Sequence, residues 1–202
     1  MLKRLTMIGL VALMSLPALA WSDVTIKVTD KNGKPLSNAV VFLKSPTILA
    51  QAKPLAEAEI AQQNRAFVPG VQVVTVGTAI DFPNRDDVRH HVYSFSQAKT
   101  FELKLYAGKP EDPVVFDSVG VVELGCNIHD SMLGWVLVND TAVFAKTDDA
   151  GYVSFNDQSE VQYSVDVWHR DFPYGAPYES FKFDNQMTQE HVLSLKTEGV
   201  TL

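Results

Sequence analysis

The chain has 202 residues, 46% of them hydrophobic and 20% charged, with a net charge of −7 and one cysteine. That length supports one good hydrophobic core or two small ones. The acidic balance, without any basic block, excludes nucleic acid as an expected partner, and one cysteine excludes an internal disulfide.

Met1-Leu2-Lys3-Arg4 is followed by an apolar run from Leu5 to Leu16 and then by Pro17-Ala18-Leu19-Ala20. A basic start, a short apolar stretch and an Ala-x-Ala ending read as a secretory signal peptide over residues 1–20, with the periplasm as the expected location. The run falls short of the ~20 apolar residues that a bilayer span needs, so no stable membrane insertion is expected. Loss of Lys3 and Arg4 with that peptide takes the net charge from −7 to −9, a surface suited to a basic protein partner.

Strand patterns follow. Val24 to Thr29 alternates apolar and polar, and Asp30-Lys31-Asn32-Gly33-Lys34-Pro35 is a turn. Val40 to Leu43 is a second strand, whereas residues 46–64, rich in Ala, Gln and Glu, read as a loop or a short helix at most. From Phe67 onward the strand pattern resumes at Val71 to Val76, Thr78 to Phe82, His91 to Phe95, Thr100 to Tyr106, Pro113 to Phe116, Gly120 to Leu124 and Trp135 to Val138. Ala142 to Lys146, Tyr152 to Phe155, Val161 to Trp168 and Glu190 to Leu195 continue it, with a turn at residues 147–151. Many short strands at roughly 8–12 residue spacing, with no helix of ordinary length, imply an all-β sandwich or barrel.

The chemistry concentrates in Gly125-Cys126-Asn127-Ile128-His129-Asp130-Ser131-Met132. A thiolate, an imidazole and a thioether within seven residues supply three of the four ligands of a mononuclear copper site with two histidines, a cysteine and a weak axial methionine. The second histidine comes from elsewhere, and His90-His91 is the upstream candidate. Taken singly, Cys126 is a small buried hydrophobe, His129 a turn residue and Met132 core. Zinc competes for a Cys/His set, yet structural zinc usually takes four strong ligands and more than one cysteine. A Cys nucleophile with a His base three residues away in a tight loop is a poor layout for acyl transfer, so no enzyme activity is expected.

These residues carry a resemblance. Glu57 to Asn139 resembles a cupredoxin, the Cys-x₂-His-x₂-Met spacing is that of amicyanin, and Asp81-Phe82-Pro83-Asn84-Arg85 is similar to the lead-in to the first copper histidine. The arrangement also resembles exported proteins labelled methylamine-utilisation proteins. The resemblance implies a Greek-key β-sandwich over residues 57–140 holding one type 1 copper, with His90, Cys126, His129 and Met132 as the metal ligands. It assigns copper to His90 because Asn84 precedes it by six positions, and leaves His91 in the sheet or outside the ligand set. It further implies that Asn84 ties the two ligand loops together and that an amide at or near Asn127 hydrogen-bonds the Cys126 sulfur. Departures are Val121 to Gly125, where aromatics are common, Ile128 in place of a proline, and Asp130 beside the histidine.

Val24 to Leu43 resembles the first hairpin of a carboxypeptidase-regulatory-like or transthyretin-like sandwich, whose continuation comes only at Thr147 to Phe155 and Tyr163 to His169. The expected organisation is a cupredoxin segment inserted in a discontinuous small sandwich made of residues 21–45 and 141–202. Tyr163, Trp168, Phe172, Tyr174, Tyr178, Phe181 and Phe183 read as core packing ahead of a docking platform, and His169 with His191 as a weak second metal pair. The expected function is single-electron transfer with a redox protein such as a c-type cytochrome or a dehydrogenase, through an apolar rim at Ile128 and Leu133. The alternatives are copper storage or delivery, and a carbohydrate- or protein-binding module with a structural metal.

Overall fold

The computed structural model describes residues 22–158, 160, 162–184 and 190–197, so the expected signal peptide lies outside the described residues. The chain runs β1 (Ser22–Thr29), β2 (Val40–Lys44), α1 (Pro46–Gln51), β3 (Ala61–Gln63), β4 (Ala66–Val68), β5 (Val71–Thr75), β6 (Thr78–Ile80) and β7 (His90–Ser96). It continues β8 (Lys99–Tyr106), β9 (Val114–Phe116), β10 (Gly120–Cys126), β11 (Leu133–Asn139), β12 (Phe144–Lys146), β13 (Tyr152–Gln158), β14 (Gln162–Trp168), β15 (Glu179–Asp184) and β16 (Glu190–Ser194). The architecture is all-β, and the strands from β3 to β11 build a β-sandwich.

A five-stranded sheet in the order β5-β11-β10-β7-β8 is the centre of the molecule. Three of its strands, β5, β10 and β11, alternate between two interiors. Val74, Val92, Val122, Leu124, Val136 and Val138 face one core, shared with Phe82 and Phe116 and with Cys126 and Met132. Val71, Val73, Val121, Trp135 and Leu137, one residue out of phase, face a second core made largely by β1, β2, β13 and β14. A period of two sends successive side chains to opposite faces, so a sheet buried on both sides needs a nearly continuous apolar strand, as in the Leu133–Asn139 sequence of β11.

The second core is closed by strands from both ends of the chain. β1 pairs antiparallel with β13 and parallel with β16, while β2 lies between β12 and β14. Two turns of the same design meet there. Asp30 Oδ1 accepts the amides of Asn32 and Lys34, Asp148 Oδ1 accepts those of Ala150 and Tyr152, and the Val28 amide donates to Gly151 O. An added Cβ at Gly151, whose φ is +81°, would stand 2.6 Å from Val28 O, so this close approach requires glycine.

Two expectations need correction. Residues 46–64 hold the short helix allowed for them, α1, which Ser45 caps by accepting the Ile48 amide, but they also hold a strand, since β3 pairs with β4 as a tight hairpin. Its turn residues, Asn64 and Arg65, both have positive φ. With three residues per strand and no glycine in the turn, this hairpin lacks the usual sequence signature. The aromatic group of the C-terminal part also divides, since Tyr163, Trp168 and Phe172 are buried and Tyr178, Phe181 and Phe183 pack against the second core, but Tyr174 is 66% exposed.

Candidate metal centre

β7 begins at His90 and β10 ends at Cys126, and the two strands pair antiparallel with Cys126 opposite Val92. This register sets the His90 ring beside the Cys126 thiol at one end of the first core. The loop that follows turns back through a Met132 N to His129 O hydrogen bond of 2.9 Å before β11 starts. The turn swings the His129 imidazole over the same thiol and drives Met132 into the core.

His90 Nδ1 lies 3.7 Å from Cys126 Sγ and His129 Nδ1 lies 3.8 Å from it. The two rings are 5.0 Å apart between centroids, and the three candidate ligand atoms lie within 4.8 Å of one another. For a first-row ion with metal–nitrogen and metal–sulfur bonds of about 2.0 and 2.3 Å, nitrogen and sulfur at two corners of a trigonal plane stand ~3.7 Å apart, against ~3.5 Å in a tetrahedron. Both nitrogen–sulfur separations are thus close to what one first-row ion shared by these atoms would set, and two imidazoles with a thiolate are a donor set that suits copper. His90, Cys126 and Met132 are buried, and His129 is half-buried at the surface.

The structure places the remaining sequence-derived residues as follows. His91 points away from the thiol, its Nε2 2.9 Å from Glu102 Oε1. Asn84 does not bridge the ligand loops: its Nδ2 donates to Val88 O and Tyr106 O, and its Oδ1 accepts the Asp86 amide. Both donors are thus spent on the His90 side. The Asn127 amide donates to His91 O at 3.2 Å rather than to the Cys126 sulfur, because the ladder between β10 and β7 runs one residue beyond Cys126. Ile128 and Leu133 are 48% and 47% exposed. His169 bonds Ser37 O, while the His191 ring lies tilted against Phe183 with centroids 4.1 Å apart. Among the described residues the one metal-competent His/Cys/carboxylate cluster is that of His90, Cys126 and His129.

Asp86 had no role in the sequence reading. Its Oδ2 is 2.8 Å from His90 Nε2, and its carboxylate also accepts the Asn64 and Arg65 amides. Partial burial works to raise the Asp86 carboxyl, but the Arg65 amide, His90 and the Asn64 amide outweigh it and hold the group below the usual carboxylate range. The available sequence signal was the four-residue interval to His90.

The chain matches no family model and no curated protein. Among solved structures it is similar to a purple cupredoxin from Nitrosopumilus maritimus, at 23% identity over 41% of this chain and 100% of that one, with a TM-score of 0.37. It is also similar to an amicyanin variant in its reduced Cu(I) form, at 21% identity over 49% of this chain and 98% of that one, TM-score 0.36. A copper-containing nitrite reductase from Thermus scotoductus is 20% identical over 56% of this chain and 28% of that one, TM-score 0.39. No helix among the described residues is long and apolar enough to cross a membrane.

Proposed function

We propose that this protein is a type 1 copper protein that passes single electrons between redox partners in the periplasm and catalyses no reaction of its own. The observation that carries the reading is the pair of imidazole Nδ1 atoms at 3.7 and 3.8 Å from one buried thiol. His90, Cys126 and His129 would hold the ion, with the Met132 thioether as the weak axial ligand. Bound copper would supply a one-electron couple. Three of the four side chains are buried in a packed sandwich, which favours the same ligand positions in both oxidation states and so little reorganisation.

The partner in this reading is a redox protein such as a c-type cytochrome or a dehydrogenase, seated on the exposed Ile128 and Leu133 beside His129. We further read residues 57–140 as a cupredoxin domain inserted in a discontinuous small sandwich of residues 21–45 and 141–202. The pairing of β1 with β13 and of β2 with β14 supports that division.

Addition of one equivalent of Cu(II) to the purified chain is expected to produce an intense thiolate-to-copper band near ~600 nm and an EPR signal with narrow parallel hyperfine splitting, both absent from Cys126→Ser. A colourless wild-type protein that holds only Cu(I) or zinc would overturn electron transfer and favour copper storage, delivery or a structural metal.

A further inference from the structure

The hairpin of β3 and β4 stands outside the candidate ligand set, yet it reaches it through one carboxylate. Its turn residues Asn64 and Arg65 have φ values of 55° and 56°. A two-residue turn with both central residues left-handed is favoured by Asn-Gly, and a side chain such as arginine in that region costs about 1 kcal/mol or more. The strained turn presents two successive backbone amides on one side. Asn64 N donates to Asp86 Oδ1 at 2.6 Å and Arg65 N donates to Asp86 Oδ2 at 2.9 Å. The loop that carries Asp86 is tied to the same hairpin by Arg85 N to Gln62 O and Gln62 N to Pro83 O, and it is tied internally by Asp86 N to Asn84 Oδ1.

The Oδ2 atom that accepts Arg65 N also faces His90, which is 0% exposed. Asp86 Oδ2 lies 2.8 Å from His90 Nε2. An ionised carboxylate only accepts hydrogen bonds, so Nε2 must carry the proton, and a neutral imidazole then has its free lone pair on Nδ1. Nδ1 is the atom aimed at Cys126 Sγ, 3.7 Å away.

We propose that the Asn64-Arg65 turn is a carboxylate clamp that positions Asp86, and that Asp86 fixes His90 in its Nε2–H tautomer, so that the Nδ1 lone pair faces Cys126 before any metal arrives. Asp86 and the two turn amides are positioning groups that act through His90, the part played by hydrogen-bonded partners around metal-ligating histidines in general. The inference rests on the copper reading for its purpose, but its geometry is independent of metal. Its distinctive element is a turn conformation from another hairpin that selects which ring nitrogen of a ligand is available.

Long-range ¹H–¹⁵N correlation spectra of the metal-free, ¹⁵N-histidine-labelled full chain at neutral pH report the tautomer of each ring, with His90→Gln assigning the His90 signals. The expected wild-type result is Nε2–H at His90. An Asp86→Asn amide cannot accept from both turn amides and from His90, so in that variant the Nδ1–H form is expected to grow. Its Cu(I) affinity, measured by competition with a chromophoric chelator, is expected to fall about 10–100-fold. Arg65→Gly keeps the backbone amide, and should retain the tautomer and an affinity within about twofold while raising the melting temperature, because glycine accepts the left-handed conformation. A wild-type His90 found as Nδ1–H overturns the proposal even if Asp86→Asn fails to fold, as does an Asp86→Asn protein with unchanged tautomer and affinity. Because the tautomer is read without metal, a wild-type chain that locks Nε2–H but takes up no copper refutes the copper reading and leaves the clamp standing.

Discussion

Gly125 immediately precedes the candidate thiolate ligand, and the Tyr93 ring from the neighbouring strand lies directly on it. A Cβ added there would meet Tyr93 Cζ at 2.7 Å, Oη at 2.8 Å and Cε2 at 3.1 Å, where ordinary contact begins near 3.4 Å. In Gly125→Ala the ring must therefore withdraw by about 0.3–0.7 Å, or the strand carrying Cys126 must. The half-buried ring is the softer element, since beyond it lies Phe95, 5.1 Å away and 81% exposed. Overpacking of this kind costs about 1–3 kcal/mol. The replacement of glycine by alanine within a strand returns about 0.5–1 kcal/mol of it. The net loss is then between about 0 and 2.5 kcal/mol and centred on about 1 kcal/mol, which corresponds to a fall of roughly 2–4 °C in melting temperature for a chain of this size. Urea and thermal unfolding of the metal-free wild type, Gly125→Ala, Tyr93→Ala and the double variant complete the cycle. With the ring gone, Gly125→Ala should be neutral or slightly stabilising, which gives a coupling of at least ~1 kcal/mol. If Gly125→Ala costs the same in both backgrounds, the ring contact is not what demands glycine there and the reasoning fails.

Two further perturbations follow from buried charges. Glu123 is buried, with Oε1 accepting the Gly175 amide at 2.7 Å, and burial pushes its carboxyl up from 4.5. The folded state thus holds this proton to higher pH than the unfolded state, so the group's contribution to stability falls as pH rises above about 4.5 and levels off once the raised value is passed. Glu123→Gln, which can still accept the Gly175 amide, should be the more stable protein at pH 7 and equal to wild type near pH 4; melting curves that run parallel from pH 4 to 8 would contradict this. Lys44 Nζ lies 2.5 Å from Asp166 Oδ2 and 2.7 Å from Asp140 Oδ1, and the Lys44 and Asp166 side chains are 13% and 9% exposed. Lys44→Met should cost about 3 kcal/mol, the lower end for a broken buried pair, because Asn139 and Ser180 still donate to Asp166. Adding Asp166→Asn should recover part of that loss in urea titrations, whereas a cost below ~1 kcal/mol for Lys44→Met would show that the pair is not buried in effect.

Local patterns made most strands legible, because apolar alternation in segments such as Val24 to Thr29 reflects burial of one face directly. The meeting of Cys126 and His129 was legible for a similar reason, as both lie in one short loop after a strand. The choice between His90 and His91 could have rested on alternation alone: His90, Val92 and Ser94 are buried, and His91 and Tyr93 are only half-buried. What the sequence did not disclose depends on groups that meet from distant positions. Asn84 and Asn127 have the right residue types for bridging and sulfur-bonding roles, but the backbone ladder and the loop carbonyls claim their donors first. Asp86 is one acidic residue among many until the 64–65 turn closes around it. The second buried face of β11 likewise depends on β1 and β2 far earlier in the chain and on β13 and β14 after it, which no local period can encode.

The Thr25 and Ser154 hydroxyls are 3.1 Å apart across β1 and β13, although 129 residues separate them. Closure of so long a loop from a disordered chain costs about 4 kcal/mol beyond a constant term, which disfavours this sheet as the first to form. Thr75 offers the route around that cost. Its hydroxyl donates to Lys53 O where the chain enters the central segment, and its backbone pairs with Asn139 where the chain leaves it. Folding of the centre therefore brings both ends of the connection to one residue and turns a distant encounter into a local one. This connectivity favours assembly from the middle of the chain outward, and substitutions that slow the central sheet are expected to delay both cores together, as stopped-flow refolding would measure.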